Sequence, residues 1–344
     1  PAATAAPAAE SEAPVESAAP AESAAAEETP AEAGKIYKVG IVKYVDDASL
    51  DQIEQSIQAE LDKKGAELGV TFDYADYTKN GQADSTTLNQ IAADLIADGV
   101  DVIIPIATPA ALIMQAATEE NAIPVVFSAV SDPVGAGLVD SLEVPGSNIT
   151  GTSDALNVEA VIDLMLVANP DLKKLGLLYD QGQDASKSAI AAAKAYCEAK
   201  GIETVEKTGT TNDELALAAD ALIAAKVDAV FTPTDNTVMT AELAIYEKFV
   251  DAKIPHYAGA DSFALNGAFC GYGVNYVTLG TSTADIAVDV LVNGAQPAST
   301  PVQIMSSGIA TVNTEVASAI GLDYSAFASL CEELKETITQ ESFN

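Results

Sequence analysis

Two sets of side chains could grip a small polar molecule: Thr108, Ser128 and Asp132, and then Asp235, Asn236 and Asp261. Thr108 opens a helical segment and Pro109 occupies its first turn, so the backbone N–H groups there lack carbonyl partners. Together with the hydroxyls of Thr108 and Ser128, those donors can hold a carboxylate. Asp235 can face them and accept from an ammonium group; charge-assisted bonds of this kind contribute about 1.5–3 kcal/mol each. Thr and Asp also cap helices routinely, a role compatible with ligand contact.

The elements that must position these groups come from a stretch the chain contains twice. Residues 101–132 read DVIIPIATPAALIMQAATEENAIPVVFSAVSD, and residues 228–261 read DAVFTPTDNTVMTAELAIYEKFVDAKIPHYAGAD. Each runs from an Asp through a short apolar strand and a Pro-containing turn (Pro105, Pro233) into a helix opening at Thr108 or Asp235. Each then passes Ile123-Pro124 or Ile254-Pro255 into a second strand that ends at Ser131-Asp132 or Ala260-Asp261. Strand, helix, strand is the right-handed βαβ unit of a parallel sheet. Ligands of open parallel sheets lie at the carboxyl ends of the strands, where both polar sets fall. Two such ends facing each other make a cleft.

Composition narrows the chemistry. The chain has 344 residues, a formal charge of −35 and no Arg, and 16 basic residues against 51 acidic ones. Phosphate neutralisation needs a basic patch, so nucleic acid is not an expected partner. An anionic ligand cannot be held by a guanidinium fork; helix starts, hydroxyls or Lys must do it. Cys197, Cys270 and Cys331 form no CxxC pair and read as small buried or half-buried residues. The lone His256, inside an apolar strand, reads as packing. Asp46, Asp47 and Asp51 lack the glycine pattern of a calcium loop and read as a solvated loop and helix start. No metal or cofactor is expected.

The length suits two α/β lobes and an appendage. Residues 1–34 hold 15 Ala, 5 Pro and 7 Glu, with only Val15 as a large aliphatic, a composition expected to be disordered. Such a tail, beginning on Pro, suits a tether to a lipidated anchor upstream, the protein's expected link to a membrane. Lobe 1 is expected over 35–148 and 275–300, and lobe 2 over 149–274 and 301–344. VTFDYADY (70–77) reads as one strand, and a closing helix is expected from Tyr324. Three crossings between lobes form a hinge, and hinged α/β lobes close around ligands.

The blocks VGIVKYVD, GVDVIIPIATPAA, IPVVFSAVSDPVGAGLV, NITGTSD, KKLGLLYD, KVDAVFTPTDNTV, IPHYAGADSFALNGA and GYGVNYVTLG together resemble the ABC-transporter substrate-binding protein family associated with aromatic amino acids. The similarity runs from about residue 36 to 325. It implies a type I periplasmic-binding-protein fold, an extracytoplasmic, non-enzymatic receptor for tryptophan, tyrosine or phenylalanine, and a membrane permease as partner. Carried onto this sequence, the resemblance places first-lobe contacts near Tyr44, Thr108, Pro109, Ala110, Ser128, Ala129 and Ser131. It places second-lobe contacts near Tyr179, Asp235, Asn236, Thr237 and Asp261. Tyr44, Phe127, Tyr179 and Phe263, near predicted strand ends, are candidates to stack on a ligand ring. One departure stands out: the loop that commonly reads His-Pro in the family reads Asp47-Ala48 here.

Other readings stay open. Another amino acid, a nucleoside or a sugar would suit the same fold. A sensor domain would carry a basic segment upstream, where this chain has an acidic one. A carboxylate-only glycosidase would need two cleft carboxylates at a defined separation, with Asp235 and Asp132 as the pair to test.

Overall fold

The computed structural model describes residues 34–340. The expected disordered tether and the last four residues lie outside them, apart from Gly34 at the tether's end.

The first lobe opens with β1 (Ile36–Lys43), whose IYKVGIVK run is buried along nearly its whole length, as a central parallel strand requires. It continues through α1 (Ala48–Leu68), β2 (Thr71–Asp73), β3 (Thr78–Asn80), α2 (Ser85–Asp98), β4 (Val102–Ile106), α3 (Thr108–Thr118), β5 (Val125–Phe127) and β6 (Ile149–Ser153). The chain crosses to the second lobe for α4 (Val158–Ala168), β7 (Lys174–Tyr179), α5 (Asp184–Lys200), β8 (Glu203–Thr208), α6 (Asn212–Ala224), β9 (Ala229–Thr232), α7 (Asn236–Ala252), β10 (His256–Ala258), α8 (Asp261–Leu265) and β11 (Cys270–Gly273). It returns for α9 (Tyr276–Val292) and β12 (Gln303–Ile304), then crosses a third time into β13 (Ile309–Asn313), α10 (Thr314–Ile320) and β14 (Glu333–Thr337).

Sheet one runs β12-β6-β5-β4-β1-β2, with β3 also pairing β1; sheet two runs β14-β13-β11-β10-β9-β7-β8. All pairings are parallel except β11 with β13. Helix ends follow local chemistry. Asp47 caps α1 by accepting from the Ser49 and Leu50 amides, and Gly69, at φ 70°, takes the left-handed conformation that ends it.

The duplicated units are β4-α3-β5 and β9-α7-β10, one in each sheet. Four expectations need correction. The stretch 149–153 belongs to the first lobe, because β6 pairs with β5, so the first crossing follows Ser153. Gln303 and Ile304 also pair in the first sheet, with β6, which moves the third crossing to about residues 305–308. Residues 70–77 do not form one strand: a single 3-10 turn at Ala75–Tyr77 divides β2 from β3, and both pair with β1. In place of a closing helix, a 3-10 turn at Ser325–Ser329 leads to β14, which pairs with β13.

Candidate functional site: the cleft between the lobes

The two duplicated units face each other across a narrow cleft whose cavity is about 20 Å³. Its lining includes Ser49, Leu50, Ala107, Thr108, Ala129, Ser131 and Asp154 on one side and Ala185, Thr234, Asn236, Met239 and Ala260 on the other, with Tyr276 at the second crossing.

The two helix starts are not equivalent. α3 begins after Ala107, which supplies no side-chain cap; the first bond into its helix runs from the Ala111 amide to the Ala107 carbonyl at 3.1 Å. The amides of Thr108 and Ala110 therefore have no carbonyl within the helix, and Pro109 between them has no N–H. Thr108 is buried in the cleft wall. Ala107 (φ 80°) and Ala129 (φ 54°) both hold left-handed backbone conformations costly for a residue with a Cβ, a strain that clusters at binding sites. This end of the cleft presents donors and a helix-dipole N-terminus to an anion.

α7 is sealed instead. Asp235, its N-cap, accepts from the Thr237 and Val238 amides with one oxygen (3.0 and 2.9 Å). The other oxygen accepts from the Asp180 amide (2.8 Å) and the Ser186 hydroxyl (2.6 Å). All four donors belong to its own lobe and the side chain is fully buried. The expectation that Asp235 receives a ligand ammonium is corrected: its lone pairs are committed to holding β7, α5 and α7 together.

The carboxylate that does face the cleft is Asp154, in the first crossing immediately after β6. It is buried, and the Ser131 hydroxyl donates to it at 2.9 Å. No ion pair reaches it among the described residues. Burial pushes its carboxyl up to about 6, moderated by the Ser131 bond. The Tyr276 ring, fully buried nearby, has its phenol pushed up by burial and further by Asp154. An uncapped helix start and an uncompensated buried carboxylate in one enclosed space are complementary to the two ends of a zwitterion.

Other expected contacts separate. Ala129, Ser131, Thr108 and Asn236 do line the cleft, the last with its amide donating to Gln183 at 3.1 Å. Pro109 and Ala110 contribute through the helix start rather than as wall residues. Ser128 is turned inward: its hydroxyl shares a 2.9 Å bond with Thr283 of α9. Tyr179 points to the far side of its sheet, donating to Glu206 at 2.8 Å, because strand alternation puts it on the α5 face. Thr237 turns its hydroxyl to Asp180 (2.8 Å). Tyr44 is half-buried beside Gln183 and Asp180 of the other lobe, so it bridges the lobes at the cleft's edge rather than lining it. Asp261 also bridges, accepting from Ser49 (2.5 Å) and Gln52 (3.4 Å) of α1.

Phe127 and Phe263 are core residues, the latter edge-on to His256 with ring centres 6.3 Å apart. Neither is available to stack on a ligand; among the lining residues Tyr276 is the aromatic one. Asp132 accepts from the Gly135 amide at 2.8 Å and holds its own loop. His256 packs as expected, between Thr232 (2.8 Å) and Glu242 (3.0 Å). Asp47 is not solvated: it is buried, and its carboxyl is pushed up to about 6 chiefly by that burial. Asp154 and Tyr276 were missed. The signal for Asp154 was available: a single carboxylate where a buried strand leaves its sheet to cross between lobes.

Two parallel-sheet lobes joined by three crossings, with a cleft between them, define a two-lobed ligand-binding protein. A family described as ABC transporter substrate binding protein matches residues 38–330, and the chain belongs to it. A tyrosine-binding protein of Clostridioides difficile (strain R20291) is 31% identical over 293 residues, covering 85% of this chain and 83% of its own length. An ABC domain from Streptococcus pneumonia solved in complex with L-Trp superposes with a TM-score of 0.80 at 30% identity, covering 87% of this chain and all of that one. The ligand-free, open structure of a Clostridium difficile substrate-binding protein with adhesive properties gives 0.67 at 32% identity, over 88% of this chain and all of that one. At nearly equal identity the chain superposes better on the tryptophan complex than on the open structure, in keeping with its direct contacts across the cleft. Substrate-binding proteins of ABC transporters capture a small ligand outside the cytoplasm. Among the described residues no helix is long and apolar enough to cross a membrane.

Proposed function

We propose that this protein captures an aromatic amino acid between its lobes and delivers it to the permease of an ABC importer. The observation that carries the reading is the buried Asp154, without an ion pair, lining the same cleft as the uncapped start of α3. In a chain without Arg, that helix start receives the ligand carboxylate and Asp154 receives its ammonium. Leu50, Met239 and the Tyr276 ring supply apolar wall for the side chain. The tyrosine-binding name of one relative and the L-Trp complex of another support an aromatic ligand.

Thermal unfolding in the presence of tryptophan, tyrosine and phenylalanine, beside a nucleoside and sugar panel, tests the reading. Stabilisation by at least one of the three amino acids is expected. It should vanish for tryptamine, which lacks the carboxylate, and for indole-3-propionate, which lacks the ammonium. Stabilisation by a sugar or nucleoside and by none of the three amino acids would defeat it.

A further inference from the structure

Beside the cleft, the first turn of α1 meets the first turn of α8 from the other lobe. The Ser49 hydroxyl donates to Asp261 at 2.5 Å and accepts from the Ser262 amide at 3.2 Å, and Gln52 donates to the second Asp261 oxygen at 3.4 Å. Asp47, two residues before Ser49, is buried against the same junction. It accepts from the Ser49 and Leu50 amides. The Ser262 hydroxyl beside it is buried and faces the Asp47 carboxylate. Closing the lobes therefore brings two carboxylates from opposite lobes into one part-buried junction, with no ion pair to either among the described residues.

We propose that Asp47, Ser49 and Asp261 form a proton-dependent latch between the lobes, which favours the closed arrangement as pH falls. This rests on the reading that the lobes open and close, and on no particular ligand. Closure strips water from Asp47 and sets it near Asp261, and both effects favour its neutral form. The Ser262 hydroxyl acts the other way, favouring the ionised form, but less than burial favours the neutral one.

The surroundings do not cancel the effect. From α9, Tyr276 adds a neutral phenol whose proton is held more tightly by Asp154, Asp261 and Asp47. From β14, Lys335 acts on Asp261 from a distance while pairing with Glu333 at 3.8 Å. The nearest cation on the α1 side, Lys43, is already engaged by Asp46, Asp51 and Glu54.

A carboxyl group whose pKa is higher in the closed state contributes to closure fully below its ordinary value, and the contribution is lost as pH rises through the raised value. For Asp47 that window lies within the span from 3.8 to about 6, over the part of the rise that closure causes. Between pH 7.5 and pH 5 the closed-to-open ratio is expected to rise by up to about tenfold.

The test uses the full chain without ligand. Spin labels attached after Gln55→Cys in α1 and Ala244→Cys in α7, on a Cys331→Ser background, report the distance across the cleft mouth. The short-distance population should grow on acidification. The comparison is made on an Asp154→Asn background, which removes the other buried carboxyl of the cleft; there Asp47→Asn should abolish the change, and Asn caps α1 as well as Asp does. Asp261→Asn, which removes the facing charge, should shrink it. On that background, a distribution that does not respond between pH 7.5 and pH 5, or a response that persists in Asp47→Asn, overturns the latch. Absence of amino-acid binding with the pH response intact would instead defeat the proposed ligand and leave the latch standing.

Discussion

At the scale of single residues, two aspartates with the same chemistry do different work because of what surrounds them. Asp235 receives four donors and holds three elements of one lobe; Asp154 receives the Ser131 hydroxyl and lines the cleft. Replacing Asp235 by Ala is expected to cost at least about 2 kcal/mol in denaturant unfolding, because buried donors lose their acceptor. Replacing Asp154 by Asn should barely lower unfolding stability, yet remove most of the tryptophan-induced thermal shift. The Asp154 carboxyl, raised to about 6, must be ionised to receive an ammonium. Tryptophan affinity should therefore climb with pH up to about 6 and fall below it, opposite in sign to the latch. Calorimetry on the Asp47→Asn variant isolates this term, with roughly tenfold tighter binding at pH 7 than at pH 5.

Among elements, the contrast between α3 and α7 decides which end of the cleft is positive. Both open a duplicated βαβ unit, but Ala107 leaves α3 uncapped whereas Asp235 closes α7. Thr108→Val keeps the volume and removes the hydroxyl; tryptophan binding should weaken about tenfold or more in titration while the melting temperature stays near wild type. The packing of α1 on α9 is a second element-level constraint. A Cβ on Gly280 would come within 2.6 Å of the Ile53 carbonyl oxygen, so the helices approach through a glycine. Gly280→Ala should push them apart and lower unfolding stability by about 1–3 kcal/mol, measured by denaturant titration.

For the whole molecule, α1 matters twice, since it packs on α9 within its own lobe and carries the interlobe contacts of Ser49 and Gln52. The Asp47-Ala48 departure from the family's usual His-Pro falls at this junction. A His there would place a group able to carry positive charge beside Asp261, whereas Asp47 places a second carboxylate. The closing equilibrium of this chain is on that account expected to depend on pH in a way that a His-Pro loop would not reproduce.

Much of this architecture was already fixed by pattern. The doubled strand–helix–strand unit, continuous apolar strands and Gly or Asn helix ends are local signals, and local backbone chemistry suffices to read them. The absence of Arg and the Thr-Pro opening of α3 likewise confined anion binding to a helix start. Tertiary structure decided the rest. Whether a strand-end side chain faces the cleft or the next layer depends on one step of alternation, which turned Tyr179 and Ser128 away. Which lobe a strand joins depends on its partner across space, which moved Ile149–Ser153 into the first sheet. How many donors converge on a carboxylate is likewise a sum over distant segments, and that sum left Asp154, not Asp235, facing the cleft.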